Sequence, residues 1–276
     1  GIRYDNSPAS VSLSDNTFSN VPSPIWYDAT SGSADVTVEE NTITHASGTG
    51  IYVQQVDDAL VRNNDIHQDG GTGIQVGSAS NIAVQNNEVA GTTKSGTGIH
   101  VLDAAASSVI SNTIEDVGYA IRASNTSPEI TDNTITGCTD YPFYQSGDAF
   151  PTYTDNTLTD NVRAGIAVDG TVGTGTWPDV QGLGWAYVIV ADLHIADGQT
   201  LTLPAGTVVK LGYREGRLFV DGTLDLQGTA ADPVIFTSER DDSYGGDSNG
   251  DGSATTPAPY DWGYIKFTST STNNVF

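Results

Sequence analysis

Six residues toward one end of the chain have the types and spacing of a cation-binding loop: Asp247-Ser-Asn249-Gly-Asp251-Gly252. Side-chain oxygens at alternate positions, with a glycine to turn the backbone tightly, suit calcium, a hard cation that takes about six to eight oxygen ligands. Asp241 and Asp242 stand near enough in the sequence to add carboxylates. The twelfth position, where such loops commonly carry an acidic ligand, is Ala258, which leaves Asp261 as the candidate substitute. The expected metal ligands are therefore Asp241, Asp242, Asp247, Asn249 and Asp251, holding Ca2+ in a structural role. A plain acidic, glycine-rich surface loop accounts for the same residues.

Other groups with chemical potential are less convergent. A glycosidase needs two or three carboxylates facing one groove; Asp65 and Asp69, with His67 between them and His45 in a neighbouring repeat, are the best local set. Asp65 and His67 share one side of a strand, and such a group is more often a solvated surface edge than a catalytic one. A lyase acting on acidic polysaccharide needs cations and a base, but Arg62, Lys94, Arg122 and Arg163 are scattered. Threonine pairs such as Thr42/Thr44, Thr134/Thr136 and Thr157/Thr159 would suit an ice-binding face, yet Asp65/His67 and Glu88/Ala90 interrupt the array. Tyr141, Phe143, Tyr144, Phe150 and Tyr153 are the densest aromatic group, and the positions of Phe143 and Tyr153 read as core. No catalytic residue is assigned.

The elements that position these residues come from an internal repeat. Asparagine, a variable residue and an apolar residue recur as Asn16-Thr-Phe18, Asn41-Thr-Ile43, Asn64-Asp-Ile66, Asn87-Glu-Val89, Asn112-Thr-Ile114, Asn133-Thr-Ile135 and Asn156-Thr-Leu158. The separations are 25, 23, 23, 25, 21 and 23 residues. Leu13, Val38, Val61, Val84, Val109, Ile130 and Tyr153 precede the asparagines by three positions, and Gly-Ile pairs at 50–51, 73–74, 98–99 and 165–166 mark a second column. Strands this short bury no apolar face alone. Stacked about 4.8 Å apart, they pair with equivalent strands above and below and pile their aliphatic side chains into internal columns. Asparagine tolerates the left-handed backbone of a tight bend, and its amide bonds to the amide one coil away. Leucine-rich repeats share the length and an asparagine, but their leucine signature and helical periodicity are missing.

The pattern Gly-Ile-x-Val followed by Val-x-x-Asn-x-Ile resembles the parallel β-helix repeat family of pectate-lyase-like folds over roughly residues 1–170. That resemblance implies a fold shared by polysaccharide lyases and hydrolases, adhesins, fibres and bacterial or archaeal surface proteins. Regularity breaks at Gly170-Thr-Val-Gly-Thr-Gly-Thr-Trp177-Pro178, a junction by composition. Beyond it, GQTLTLPAGTVVK and VDGTLDLQGTAADPVIFTS resemble a segment of secreted and surface β-helix proteins. In those proteins, the resemblance implies, this segment leads into asparagine coils; here it follows them.

Composition sets the remaining expectations. With 34 acidic against 10 basic residues the formal net charge is −24, which repels nucleic acid and anionic membranes and attracts cations. No apolar run reaches the ~18 residues a membrane helix needs. Only Lys94, Lys210 and Lys266 are lysines, which suits a salty external setting, and Cys138, the single cysteine, reads as a small buried residue. The chain lacks methionine and both its termini fall in mid-coil, as expected of one section of a longer stack. The expected fold is all-β, a right-handed parallel β-helix with coils of about 23 residues and an asparagine ladder. The expected segments are 1–170, asparagine-ladder coils, and 171–276, a second β-helix segment with a Gly/Asp-rich insertion. The expected function is an extracellular or cell-surface structural or adhesive segment, calcium-stabilised, whose partners are neighbouring coils or further copies end to end. The alternative is a polysaccharide-active enzyme or carbohydrate-binding module.

Overall fold

A computed structural model describes residues 1–5, 10–29, 34–212, 214 and 216–276. The chain forms two compact units, Gly1–Pro142 with Pro151–Val162, and Phe143–Phe150 with Arg163–Phe276.

In the first unit each coil contributes one strand to each of three parallel sheets. A representative coil runs through Thr49–Gln54, Asp58–Arg62 and Asp65–Gln68, and the next through Thr72–Gly77, Asn81–Gln85 and Glu88–Gly91. The register places like on like. Ile51, Ile74, Ile99 and Ile121 stack in the first sheet, Val38, Val61, Val84, Val109 and Ile130 in the second, and Ile43, Ile66, Val89, Ile114 and Ile135 in the third. All of these side chains are buried. At about 1.5–3 kcal/mol for each large aliphatic side chain, these columns are the main source of stability.

The ladder is formed as expected, with one correction to its backbone. Asn41, Asn64, Asn87, Asn112 and Asn133 are buried, and each Nδ2 donates to the Oδ1 of the next asparagine at 2.9–3.0 Å. Asn156 is buried at one end, while Asn16 is only half-buried at the other. The left-handed residue is not the ladder asparagine but the one before it: Asp15, Glu40, Asn63, Asn86, Ser111, Asp132 and Asp155 have φ between 52° and 58°. The bend is made one residue early. The asparagine that follows can then turn its amide inward and donate to carbonyls such as Val61 O, 3.0 Å from Asn87 Nδ2.

The second unit repeats the principle with longer strands. Tyr187–Ile195 pairs through residues 187–189 with Val208–Leu211 and through 192–195 with Arg217–Val220, so one strand serves two partners. Gly175–Thr176, Thr200–Pro204 and Thr223–Gln227 form a separate small parallel sheet. Trp177 is buried and stacks on Tyr187 at 4.6 Å with 11° between the rings. The core is completed by Leu193, Ile195, Leu201, Leu203, Leu218, Val220 and Leu224. Cys138, in the first unit, is buried, and burial pushes its thiol up to about 12, leaving it an inert core group. No helix among the described residues is long and apolar enough to cross a membrane.

Candidate functional site

The acidic insertion spans residues 239–264, between Ile235–Ser238 and Ile265–Phe267, and lies on the outer face of the second unit's main sheet. Tyr144, Ala167, Val188 and Lys210 share one column of that sheet, and Ala167, Val188 and Lys210 have no exposure at all. The alternation of the strands points this column away from the core; the insertion covers it. Ala164 N donates to Asp247 O at 2.7 Å, and Lys210 Nζ donates to Gly246 O at 2.5 Å. Gly245 and Gly246 have positive φ, and a Cβ on Gly245 would stand 2.7 Å from Ala186 Cβ, so glycine is what lets the loop backbone approach.

Asp247 organises the turn. Its Oδ1 accepts the amides of Gly250 at 2.7 Å and Asp251 at 3.2 Å, and its Oδ2 accepts Gly252 N at 2.8 Å. Ligand oxygens of Asp242, Asp247 and Asp251 all lie within 4.8 Å of one another. Of the other residues expected at this site, Asn249 braces Asp251, donating to its Oδ2 at 2.8 Å and to Thr255 Oγ1 at 2.9 Å. Asp241 accepts the Thr237 and Ser243 hydroxyls and the Ser243 amide. Burial raises the Asp241 carboxyl most, but these bonds and Lys210 together hold it below the usual range. Asp261 is bound by Arg240 at 3.1 Å and by the Ala258 amide at 2.7 Å. Burial lowers Lys210 despite the opposing pull of Asp242, Asp241, Asp247 and Glu239. Both oxygens of Asp242 are buried without a hydrogen-bond partner.

The other expected groups separate. His67 Nε2 lies 3.2 Å from Asp65 Oδ1, the surface pair anticipated, while His45 Nδ1 meets Asp69 at 3.3 Å. Arg62 pairs with Glu39, Lys94 with Asp116, and Arg122 lies over the Tyr119 ring. Thr42, Asp65, Glu88, Thr113, Thr134 and Thr157 share one register column, so charge does interrupt the threonines. Tyr141, Phe143 and Tyr144 are buried.

Two features went unread in the sequence. Arg3, Trp26, Tyr52, Gln75, His100 and Arg122 form a single outward column of the first unit. Arg3 sits 5.0 Å over Trp26, whose ring stacks on Tyr52 at 3.8 Å and 11°. The variable position of Gly-Ile-x-Val, traced coil by coil, carries that column. In the second unit a cleft of about 600 Å³ is lined by Asp169, Gly170, Ala191, Asp192, Arg214 and Arg217. Arg217 grips Asp192 through Nε and Nη2 at 2.5 and 2.9 Å. Asp169 Oδ2 accepts the Tyr144 hydroxyl at 2.6 Å, and its Oδ1 is buried without a partner.

His100 carries a pH dependence. Burial, with Arg122 beside it, lowers its imidazole to about 4, against a weaker opposite pull from Asp103. The folded state therefore disfavours the imidazolium. The associated stability is complete above the ordinary value near 6.5 and is lost as pH falls from there toward 4, on the order of 2 kcal/mol at about pH 5. Thermal melts at pH 7 and pH 5 should show a drop smaller by a few degrees in His100→Gln; equal drops would remove His100 from the account.

Parallel coils in register, one strand per sheet, around an internal asparagine ladder define a parallel β-helix. The chain belongs to the right-handed β-helix family: the family described as a right handed beta helix region matches residues 25–175. No curated protein and no solved structure matches the chain.

Proposed function

We propose that this chain is a structural or adhesive β-helix segment of an extracellular, cell-surface protein, with calcium ordering its inserted loop. The observation that carries this is the axial use of its side chains. Ladder amides bond to the amides of the next coil, and the Trp26 ring is covered by Arg3 of one neighbouring coil and stacked on Tyr52 of the other. Side chains used in this way join coil to coil. Strands that pair on one side only, Ile2–Asp5 in the first unit and Ile235–Ser238 and Ile265–Phe267 in the second, suit the same parallel pairing with another copy. Sedimentation velocity over a concentration series tests the assembly: larger species are expected as concentration rises.

The cleft at Asp169 favours a second reading, a polysaccharide-binding or polysaccharide-cleaving module. Carboxylates and guanidinium groups bind sugar hydroxyls, and the free Asp169 Oδ1 is an acceptor in want of a donor. Product release from a polysaccharide panel, lost in Asp169→Asn, would establish that reading over the structural one.

A further inference from the structure

We infer that Asp242, Asp247 and Asp251 form a calcium site that buckles the 239–264 insertion onto the outer face of the second unit's sheet. This deepens the calcium part of the proposed function and rests on it, but not on the surface role. Three carboxylates in proximity are not in themselves a site. The independent observation is Asp242. Its two oxygens are buried, neither has a hydrogen-bond partner, and one of them lies within 4.8 Å of a carboxylate oxygen of both Asp247 and Asp251. A buried, unpaired carboxylate is among the most expensive arrangements a protein can hold, and a bound cation removes the expense.

The surrounding bonds leave room for the ion. Asp247 Oδ2 accepts the Gly252 amide and Asp251 Oδ1 the Ala254 amide, at 2.8 and 2.9 Å, and a carboxylate oxygen has a second lone pair to offer an ion. Of the cations nearby, Lys210 donates its short bond to Gly246 O and makes no ion pair within 4.0 Å of these carboxylates, and Arg240 is paired with Asp261. The carboxylates of Asp241, Asp242, Asp247 and Glu239 that act on Lys210 outnumber it and leave the cluster net negative. A cavity of about 300 Å³ lined by Arg240, Asp242, Ser253, Thr255 and Pro257 gives an approach to Asp242 from solvent. An all-oxygen set on a flexible, glycine-turned loop favours calcium over magnesium, which demands near-ideal octahedral geometry and keeps its waters. The ligands come from both sides of the Gly245-Gly246 contact with the sheet, so an ion bridging them fixes that contact.

The test uses the full chain stripped with a chelator, titrated calorimetrically with CaCl2 and separately with MgCl2. Digestion by a broad-specificity protease, followed at the 239–264 segment, runs in parallel. Calcium should bind about tenfold more tightly than magnesium and slow cleavage of the segment by about tenfold. Asp242→Asn is the decisive variant because its carboxylate has no hydrogen bond to lose. It should weaken calcium about tenfold or more, while the metal-free variant melts higher than the metal-free unmutated protein. Asp247→Asn and Asp251→Asn should also weaken calcium, and Asp197→Asn, at an exposed turn, should not. The inference is overturned by no heat with calcium, by equal affinity for magnesium, or by an Asp242→Asn affinity within about twofold of the unmutated protein. Calcium binding with no self-association would sink the assembly proposal and leave this site standing; the converse result would do the reverse.

Discussion

Asn87→Ala is expected to cost on the order of 4 kcal/mol, nearly half the stability of a typical domain. The Asn87 side chain makes five hydrogen bonds. Its Oδ1 accepts Asn64 N and Nδ2 at 3.1 and 2.9 Å, and its Nδ2 donates to Val61 O, Gln85 O and Asn112 Oδ1 at 3.0–3.1 Å. Alanine leaves the Asn64 amide and the Val61 carbonyl in an apolar interior with nothing to bond, and that desolvation outweighs the modest net value of the bonds themselves. Asn16→Ala is the internal comparison. Its Nδ2 donates to Ser14 O and Asn41 Oδ1, but it is half-exposed and water can replace it, so about 1 kcal/mol is expected. Urea unfolding of the two variants should separate them clearly; equal losses would show that the ladder is not cooperative from coil to coil.

Gly71→Ala is expected to be comparably damaging, by about 3 kcal/mol or more. A Cβ at Gly71 would fall 1.8 Å from Gly48 O and 2.7 Å from its carbon, both backbone atoms of the coil below. That same oxygen accepts Thr72 N at 2.9 Å, so relieving the clash means giving up a coil-to-coil bond. The defect also propagates, because Gly71 O would lie 2.1 Å from a Cβ at Gly96 in the next coil. A loss below about 1 kcal/mol in the same urea experiment would mean that coil spacing is softer than the register implies.

How far the sequence could be read follows from which interactions repeat. The ladder and the aliphatic columns recur every coil, so spacing alone located Asn41, Asn64, Asn87, Asn112 and Asn133 and the apolar residues that precede them. The left-handed residue was placed one position late because the preceding set is chemically mixed: Asp15, Glu40, Asn63, Asn86, Ser111, Asp132 and Asp155 share a backbone angle and not a side chain. The Trp26–Tyr52 stack was missed for a related reason. Its column changes residue type at every coil, from Arg3 to Arg122, and only the register joins its members. The acidic loop was visible as a motif, but its ligand set was not. That Asp241 is consumed by Thr237 and Ser243, and that Asp242 is left bare, depends on how residues 239–264 fold across a sheet face. Lys210 shows the same limit. Strand parity points it outward, and only that covering loop makes it buried.

The central claim is that this chain's chemistry is spent on stacking coil upon coil. Sedimentation velocity of the unmutated protein, across a concentration series at physiological ionic strength with calcium present, tests it most directly. The account predicts a weight-average sedimentation coefficient that rises with concentration as edge strands pair. A single, strictly monomeric species throughout the micromolar range would contradict it.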